Sequence, residues 1–538
     1  MAKRRDELAA YTFARKRTVA AFLAPSPGGS EEGAPRPIRT VMPSFAVAIV
    51  LVIGFIAWGV IKPKAPVGWD TPGEYIIVDS DSTTRYVVLP DEVPGSSKKV
   101  NTLHPVLNYA SAKLMLDKGK GKVIEVPGKE IDKSDIPHGA TLGIPYAPDR
   151  LPKPEDAEKE KTWAVCERPA KSGTAIDRAV FVLDDEDAKS VAGRGKVGGS
   201  EVLYVNEPTT ETDFLIDSKG NRLAIGGPKV KLTKDEKTTA AKLKATAIGS
   251  QNIPQQVSKE WLATLNEGQA ITFPTVPSIG EPTKVKGLPA DGSTVGRVLE
   301  ADDDAQGKMY YVVLKNEVAA VTPFVAKLLL ASPAAEVAYA TNQIHAIPAR
   351  TTSIIDANGG QAKPFYGDKG WPQEVPAQAN GPETATAAAK DTSCSVYDGS
   401  IGADKKPNLT AWAGTTYPKK VIAESLNAYV SSGSGLLFTE VRGAAAAGGA
   451  QYLLTDTGLR YSLPKGNDNA SDKTGTGSGS DSGSDSGSGG QPSETDKART
   501  RLGYEKLTNQ MYVPYTFAQF IPKGPTLDTG SAKQAQSQ

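Results

Sequence analysis

VMPSFAVAIVLVIGFIAWGVI, residues 41–61, contains no charged side chain. Wound as an α-helix at about 1.5 Å per residue it extends about 31 Å, the thickness of the hydrocarbon core of a bilayer. No second run of this kind follows in the 538 residues. Everything after it is therefore expected on one side of a membrane, as a large body on a single tether. A cleaved secretory signal is the competing reading, but its apolar region is typically shorter and follows a shorter lead than residues 1–40. A core helix of a soluble protein would show a polar face, and this run has none.

Lys3, Arg4, Arg5, Arg15, Lys16, Arg17, Arg36 and Arg39 precede the run, against Asp6, Glu7, Glu31 and Glu32, whereas only Lys62 and Lys64 follow closely. Basic residues are retained in the cytoplasm, so the N-terminus is expected inside and the body outside. Trp58 and Trp69 suit the outer interface. Val41 and Ile61 bound the anchor. The arm RRDELAAYTFARKRTVAAFLAP (4–25) reads as one basic amphipathic helix. Leu8, Tyr11, Val19, Phe22 and Leu23 recur at helical spacing around Arg15, Lys16 and Arg17. Such a helix can lie on anionic lipid or dock a protein partner, and Arg4, Arg5, Tyr11, Phe13, Arg15, Lys16 and Arg17 are its candidate contacts.

Without the arm the body carries nearly balanced charge, which offers no field for nucleic acid. Its length calls for several cores. The two cysteines, Cys166 and Cys394, are read as a disulfide of an oxidising compartment, with two free thiols as the alternative.

Four hairpin-like stretches recur in the body: GEYIIVDSDSTTRYVVLP (73–90), TDFLIDSKGNRLAIGG (212–227), GKMYYVVLKNEVAAVTP (307–323) and AQYLLTDTGLRYSLP (450–464). Most join an apolar strand to a second strand through a polar turn. The last three have an upstream strand, EVLYVNE, GRVLEAD or GLLFTEVRG, and each copy leads into a helical pattern, the fourth at 508–521. The spacing is irregular, so this is a set of related α/β modules and not a fixed-period solenoid. Between the first and second copies, and again between the third and fourth, lies a segment carrying one cysteine. The two segments are expected to meet in one central domain.

The fold expectation is thus a mixed, β-rich α/β protein with one N-terminal membrane helix. The boundaries are an arm (1–40), the span (41–61), repeat 1 (69–155), a first central segment (160–195), repeat 2 (196–280), repeat 3 (281–355), a second central segment (356–432) and repeat 4 (433–528). Repeat 4 contains a flexible Gly/Ser/Asp insertion at 466–497, and a disordered tail follows at 529–538.

No catalytic constellation is present in the sequence. GKGKVIEVPGK (119–129) lacks the spacing and terminal hydroxyl of a phosphate-binding loop. His104, His138 and His345 have no carboxylate or nucleophile at motif spacing and read as structural. Asp79 and Asp81 begin like a calcium loop, but its sixth position is Thr84 and its twelfth Pro90, so they are turn residues. No catalytic, cofactor or metal residue is assigned.

The order of these features resembles the EccB family, single-pass membrane components of the type VII (ESX) secretion system of actinobacteria. RRDELAAYTFARKR (4–17), the exit IKPKAPVGW (61–69) and the hairpins with Cys166 and Cys394 carry the resemblance. It implies an elongated body of four α/β repeats around a disulfide-stapled central domain. It also implies a structural role in an inner-membrane complex with the EccC ATPase, EccD, EccE and the mycosin protease, with self-association and lipid contact. Some family members are described as ATPases. A membrane-tethered cell-wall-binding protein and a membrane-anchored ATPase are the competing functions.

Overall fold

The computed structural model describes residues 4–23, 37–61, 65–92, 95–96, 98–170, 175–229, 232–303, 307–340, 343–357, 364–381, 389–421, 427–443, 449–464, 493–508 and 511–536. The chain divides into two compact units: Met1–Thr71 with Ile77–Thr83 and Val123–Asp135, and the remainder.

The first unit holds helices Arg4–Leu23 and Pro37–Ile61. The second of these is long and apolar enough over Val41–Trp58 to cross a membrane by length and composition, and none of that window is buried. Asp79 and Asp81 act as turn residues in this unit. Asp79 accepts from Asp81 N at 2.9 Å and Ser82 Oγ at 2.5 Å, while Asp81 accepts from Gly128 N at 3.2 Å.

The second unit contains most of the body, built on a recurrent plan of three strands, a helix and a fourth strand. One copy has strands Glu201–Glu207, Thr212–Ile216 and Asn221–Ala224, helix Lys234–Ile248 and strand Gln255–Gln256. The next has Val298–Asp303, Gly307–Val313, Val318–Val321, helix Pro323–Ala331 and Ile347–Pro348. A third has Leu436–Val441, Gln451–Leu454, Arg460–Leu463, helix Glu494–Leu502 and Met511–Pro514. In all three the first three strands form an antiparallel meander, and the fourth returns parallel to the first. A parallel crossover needs a connection of about a dozen residues, and the helix supplies it. A further segment then lies parallel on the third strand: Asn266–Glu267 on Asn221–Arg222, Pro364 on Ala320, and Lys523 on Arg460.

The N-terminal module has the same element order: Tyr75–Asp79, Arg85–Glu92, Lys99–Val106, helix Tyr109–Met115 and Lys122–Val126. Its third strand also carries a parallel strap, through Leu103–His138 and Val106–Leu142. The hairpin at 73–90 is therefore the first and second strands, one strand out of step with the hairpins quoted for the other copies. KVNTLHPV (99–106) is the third strand that the repeat reading missed. Pro105 and the exposed start of this strand mask its alternation.

Three further expectations are corrected. Residues 508–521 do not form one helix: Met511 and Val513 alternate inward as a strand, and only Tyr515–Ala518 is helical after Pro514. The insertion does not extend to 497, because Ser493 caps helix Glu494–Leu502 by accepting from Asp496 N at 3.2 Å; positions 466–492 lie outside the described residues. The segment expected as a disordered tail instead forms helix Thr529–Ala532, with Asp528 as its N-cap and Ala532 fully buried. Its polar composition hides the buried position Ala532.

Buried side chains show which modules meet. Val87, Leu114 and Ile76 share a core with Tyr461, Leu463, Leu502 and Leu527, so the first and fourth modules pack together. Tyr204, Leu215 and Leu243 share one with Val298, Val312 and Phe324, so the second and third do likewise. The path is nested: the chain leaves the first module, crosses a central sheet to the second and third, recrosses that sheet, and returns to the first through the fourth.

Candidate functional site

The central sheet is where the nested path crosses itself. Its five strands run in the order Pro407–Gly414, Thr392–Ile401, Thr162–Pro169, Ile176–Leu183 and Ala428–Val430. The two cysteine strands are direct antiparallel neighbours, with Cys166 opposite Cys394. The cysteines are disulfide-bonded, with Cα atoms 4.0 Å apart and both residues fully buried. The two central segments thus meet and pair. The bond closes a loop of sequence separation 228 that contains the second and third modules entirely.

Strand alternation gives this sheet two faces. Ala164, Cys166, Phe181, Cys394, Val396 and Trp412 form one buried cluster, covering the disulfide. Trp163, Val165, Val180, Val182, Tyr397 and Ala411 belong to the other, which merges with Leu203, Val205 and Trp261 of the second module and Phe438, Met511 and Phe517 of the fourth. The sheet therefore joins both halves by one continuous core on one face and a covalent staple on the other.

Polar contacts fix each junction. Toward the second module, the fully buried Glu167 accepts from Arg178 Nε at 2.6 Å, Ser258 N at 2.8 Å and Ser258 Oγ at 2.6 Å. Ser258 caps the helix Lys259–Leu262, and Trp261 on that helix donates its indole N–H to Val165 O at 2.8 Å. Asn380 bonds both backbone groups of Tyr204, at 2.7 and 3.1 Å. Residues Ala377–Gln378 pair with the module's first strand and Trp371 packs in the core of the second and third modules. The described part of 356–381 thus belongs with those modules and not with the central sheet.

Toward the fourth module, Asp156 accepts from the buried Lys161 Nζ at 2.7 Å, Gly435 N at 2.9 Å and Ser434 Oγ at 3.0 Å. Burial pushes the Asp156 carboxyl upward, but Lys161 and the two further donors outweigh it and hold it below its ordinary value. Tyr397 donates to Tyr512 O at 2.7 Å. At the sheet's end Asp187 gathers Lys419 Nζ at 2.5 Å, Ser431 Oγ at 2.6 Å and Tyr429 Oη at 2.8 Å. Burial opposes that charge too, and these donors keep the carboxyl low.

Sequence reasoning missed Glu167, Ser258, Asp156, Lys161 and Asn380. Glu167 alone left a signal: in AVCERP it falls on the same strand face as Val165, where a solvent-facing residue is out of place. Nothing here activates a nucleophile. Among the described residues no group of three or more His, Cys, Asp or Glu is placed to hold a metal ion. The arrangement can hold two distant pieces of chain in fixed register.

The arm residues Arg4, Arg5, Tyr11, Phe13, Arg15, Lys16 and Arg17 all lie on helix Arg4–Leu23 and are exposed. They do not form the expected amphipathic face. At about 100° per residue Arg15 falls between Tyr11 and Leu8, and Phe13 lies on the opposite side. Cations and rings are mixed around the helix. Val41 begins the exposed apolar window, and Ile61 ends the second helix.

Comparison with known proteins agrees with this architecture. The family model described as "Type VII secretion system ESX-1, transport TM domain B" matches residues 2–538. The ESX-3 secretion system ATPase EccB3 of Mycolicibacterium smegmatis is 24% identical over 494 residues, which cover 90% of this chain and 82% of that protein. The ESX-5 secretion system ATPase EccB5 of Mycobacterium marinum is 26% identical over 330 residues, 60% of this chain and 58% of that protein, so this match spans less than two thirds of the relative. A chain in the structure of an intact ESX-5 inner membrane complex aligns with 100% of this chain and 96% of its own length, at a TM-score of 0.57 and 19% identity. The structure of an EccB3 dimer from the ESX-3 core complex aligns with 86% of this chain and 100% of its own, at 0.56 and 21%. At these identities the structures speak for the fold, and the match over residues 2–538 for the family. This chain, with its apolar N-terminal helix and disulfide-stapled modular body, belongs to the EccB family of type VII secretion systems.

Proposed function

We propose that this chain is a structural core subunit of a type VII secretion membrane complex, supporting its assembly and protein export. The observation that carries the reading is the helix Pro37–Ile61, whose large apolar side chains from Val41 to Trp58 are all exposed. Apolar area of that extent is stable only against lipid or other apolar helices. The arm would lie in the cytoplasm and the body outside, following the charge asymmetry about the span. The partners that the family implies are the EccC ATPase, EccD, EccE and the mycosin protease, together with a second copy of this chain. The body's cores and staple support a rigid scaffold: each junction is made by packing and by buried bonds, with no catalytic group among them.

The test is affinity purification of the full chain from membranes in mild detergent, followed by native electrophoresis. The reading expects a high-mass species containing the other subunits, and a monomer alone would contradict it. ATP hydrolysis is the second reading, favoured by the names that the relatives carry. It requires turnover in the purified chain that an active-site-free blank lacks. The sequence contains no phosphate-binding GxxxxGK[ST] loop to support it.

A further inference from the structure

Residues 144–147 of the N-terminal module form a tight turn, closed by Ala147 N donating to Ile144 O at 3.2 Å. Both ends of the turn are buried. Ile144 N donates to Ser111 Oγ at 2.9 Å, and Ile144 O accepts from Asn108 Nδ2 at 2.7 Å; both partners are buried in turn. Just beyond, Ala110 N donates to Pro148 O at 3.1 Å and Tyr109 N to Asp149 Oδ1 at 3.0 Å. Helix Tyr109–Met115 and its cap Asn108 thus grip the turn on both sides. Between the grips the tip stands out, with Tyr146 89% exposed. It is the only exposed aromatic ring among the described residues of the second unit. Leu107, also exposed, lies beside Gly143, where a Cβ would stand 3.2 Å from Leu107 Cβ.

Tyr146 also holds a backbone conformation that tyrosine avoids. Its φ is +63°, in the left-handed region. With Pro145 before it, the segment has the pattern of a type II turn, whose third position normally falls to glycine or asparagine because a Cβ there crowds the next carbonyl. Strain of this kind persists where the surroundings over-determine it, and it collects at functional sites. Core packing does not account for it, since the ring lies almost wholly in solvent. A lipid headgroup layer accepts a ring from many directions, and a loose turn would serve it. A ring whose direction is fixed at a backbone cost suits a shaped cavity. Tyrosine is a frequent anchor in protein interfaces, with an apolar body for the walls and a hydroxyl for the floor.

We propose that Tyr146 is a rigid docking anchor that inserts into an apolar pocket of another protein chain, one whose floor offers a hydrogen-bonding group, with Leu107 packing at the pocket's rim. The anchor rests on the role of this chain as a subunit of a membrane complex and names one contact point in it.

The test uses the full chain in its own membranes with a benzophenone-bearing phenylalanine at position 146. Illumination should give one discrete adduct with another protein chain, and mass spectrometry should place the link on apolar residues of that chain. Adducts with lipid alone, or no discrete protein adduct, overturn the anchor. The second arm is Tyr146→Gly, which removes the ring and suits the backbone. The purified variant should melt at the same temperature as the unmodified chain or higher. Its high-mass species should dissociate at about thirtyfold higher protein concentration, the loss expected for a central tyrosine anchor. A lower melting temperature overturns the proposal by showing that the ring serves the fold. Unchanged dissociation overturns it by showing that the ring is idle. Absence of the high-mass species from the unmodified chain would instead remove the subunit role, and the adduct at position 146 still decides the anchor.

Discussion

Replacing both Cys166 and Cys394 by alanine removes the one covalent link between the two passages of the chain through the central sheet. The cost can be worked from the structure. The bond closes a loop of sequence separation 228, for which chain-entropy arguments give about 5 kcal/mol of stabilisation. The staple sits between directly opposed residues of adjacent strands. Without it those strands are still held by their ladder and by the apolar face of Trp163, Val165 and Tyr397. The fold should therefore survive and the sheet should open more often. Native-state hydrogen exchange of the full chain in detergent resolves this, because local opening is read strand by strand. Protection in Thr162–Pro169 and Thr392–Ile401 should fall by about 3–5 kcal/mol, while the shared core of the second and third modules keeps its protection. A fall below about 1 kcal/mol would refute the reasoning, since it would show that packing alone fixes the crossing. Parallel loss in the second and third modules would refute it differently, by showing that they depend on loop closure.

Other perturbations probe the junctions and the chain end. Glu167→Ala removes the acceptor shared by Arg178 Nε, Ser258 N and Ser258 Oγ beneath the second module and should cost about 3 kcal/mol, the lower end for a broken buried pair because Arg178 is 31% exposed and keeps Ser258 Oγ and Glu260 as partners, as read by chemical denaturation. Glu207 is pushed up by burial, but hydrogen bonds from Thr210 and Thr209 outweigh that and hold its carboxyl at about 2. A depressed acid stabilises above its unfolded value, so this contribution should be present above about pH 4.3 and be lost as pH falls toward 2; Glu207→Gln should flatten that part of an acid-unfolding curve. Ala532→Asp buries a carboxylate where the fully buried Ala532 packs, and should release the C-terminal segment to proteolysis. A dispensable tail would show no change. Ser493→Ala removes the cap of helix Glu494–Leu502 and should cost about 1 kcal/mol by thermal unfolding.

The legible parts of this fold are those with local patterns. The charge-free run announces itself by composition, the second to fourth hairpins by strand–turn–strand alternation, and the cysteines by being two. Pairings across long separations left little trace. Nothing near Leu114 or Tyr461 says that the first and fourth modules share a core, because each residue is an ordinary inward-facing position on its own element. Strand Met511–Pro514 is only four residues long and runs straight into a helical turn, so helical spacing absorbed it. The arm's apolar spacing was real, but spacing alone did not register that Arg15 lies within the stripe. At the junctions Asp156 and Lys161 look like ordinary members of a charged segment, PEDAEKEK, until the fold buries one against the other.

The central claim is membership in a membrane assembly, and one measurement addresses it directly. The full chain, tagged and expressed in its own cell at native level, is extracted in mild detergent, and its co-purifying proteins are identified by mass spectrometry on the band resolved by native electrophoresis. The account predicts a single high-mass band containing this chain with other type VII secretion subunits, lost when helix Pro37–Ile61 is replaced by an unrelated span of equal length. Migration as a lone monomer would contradict it, and an unchanged complex after that replacement would contradict a part for helix Pro37–Ile61 in the assembly.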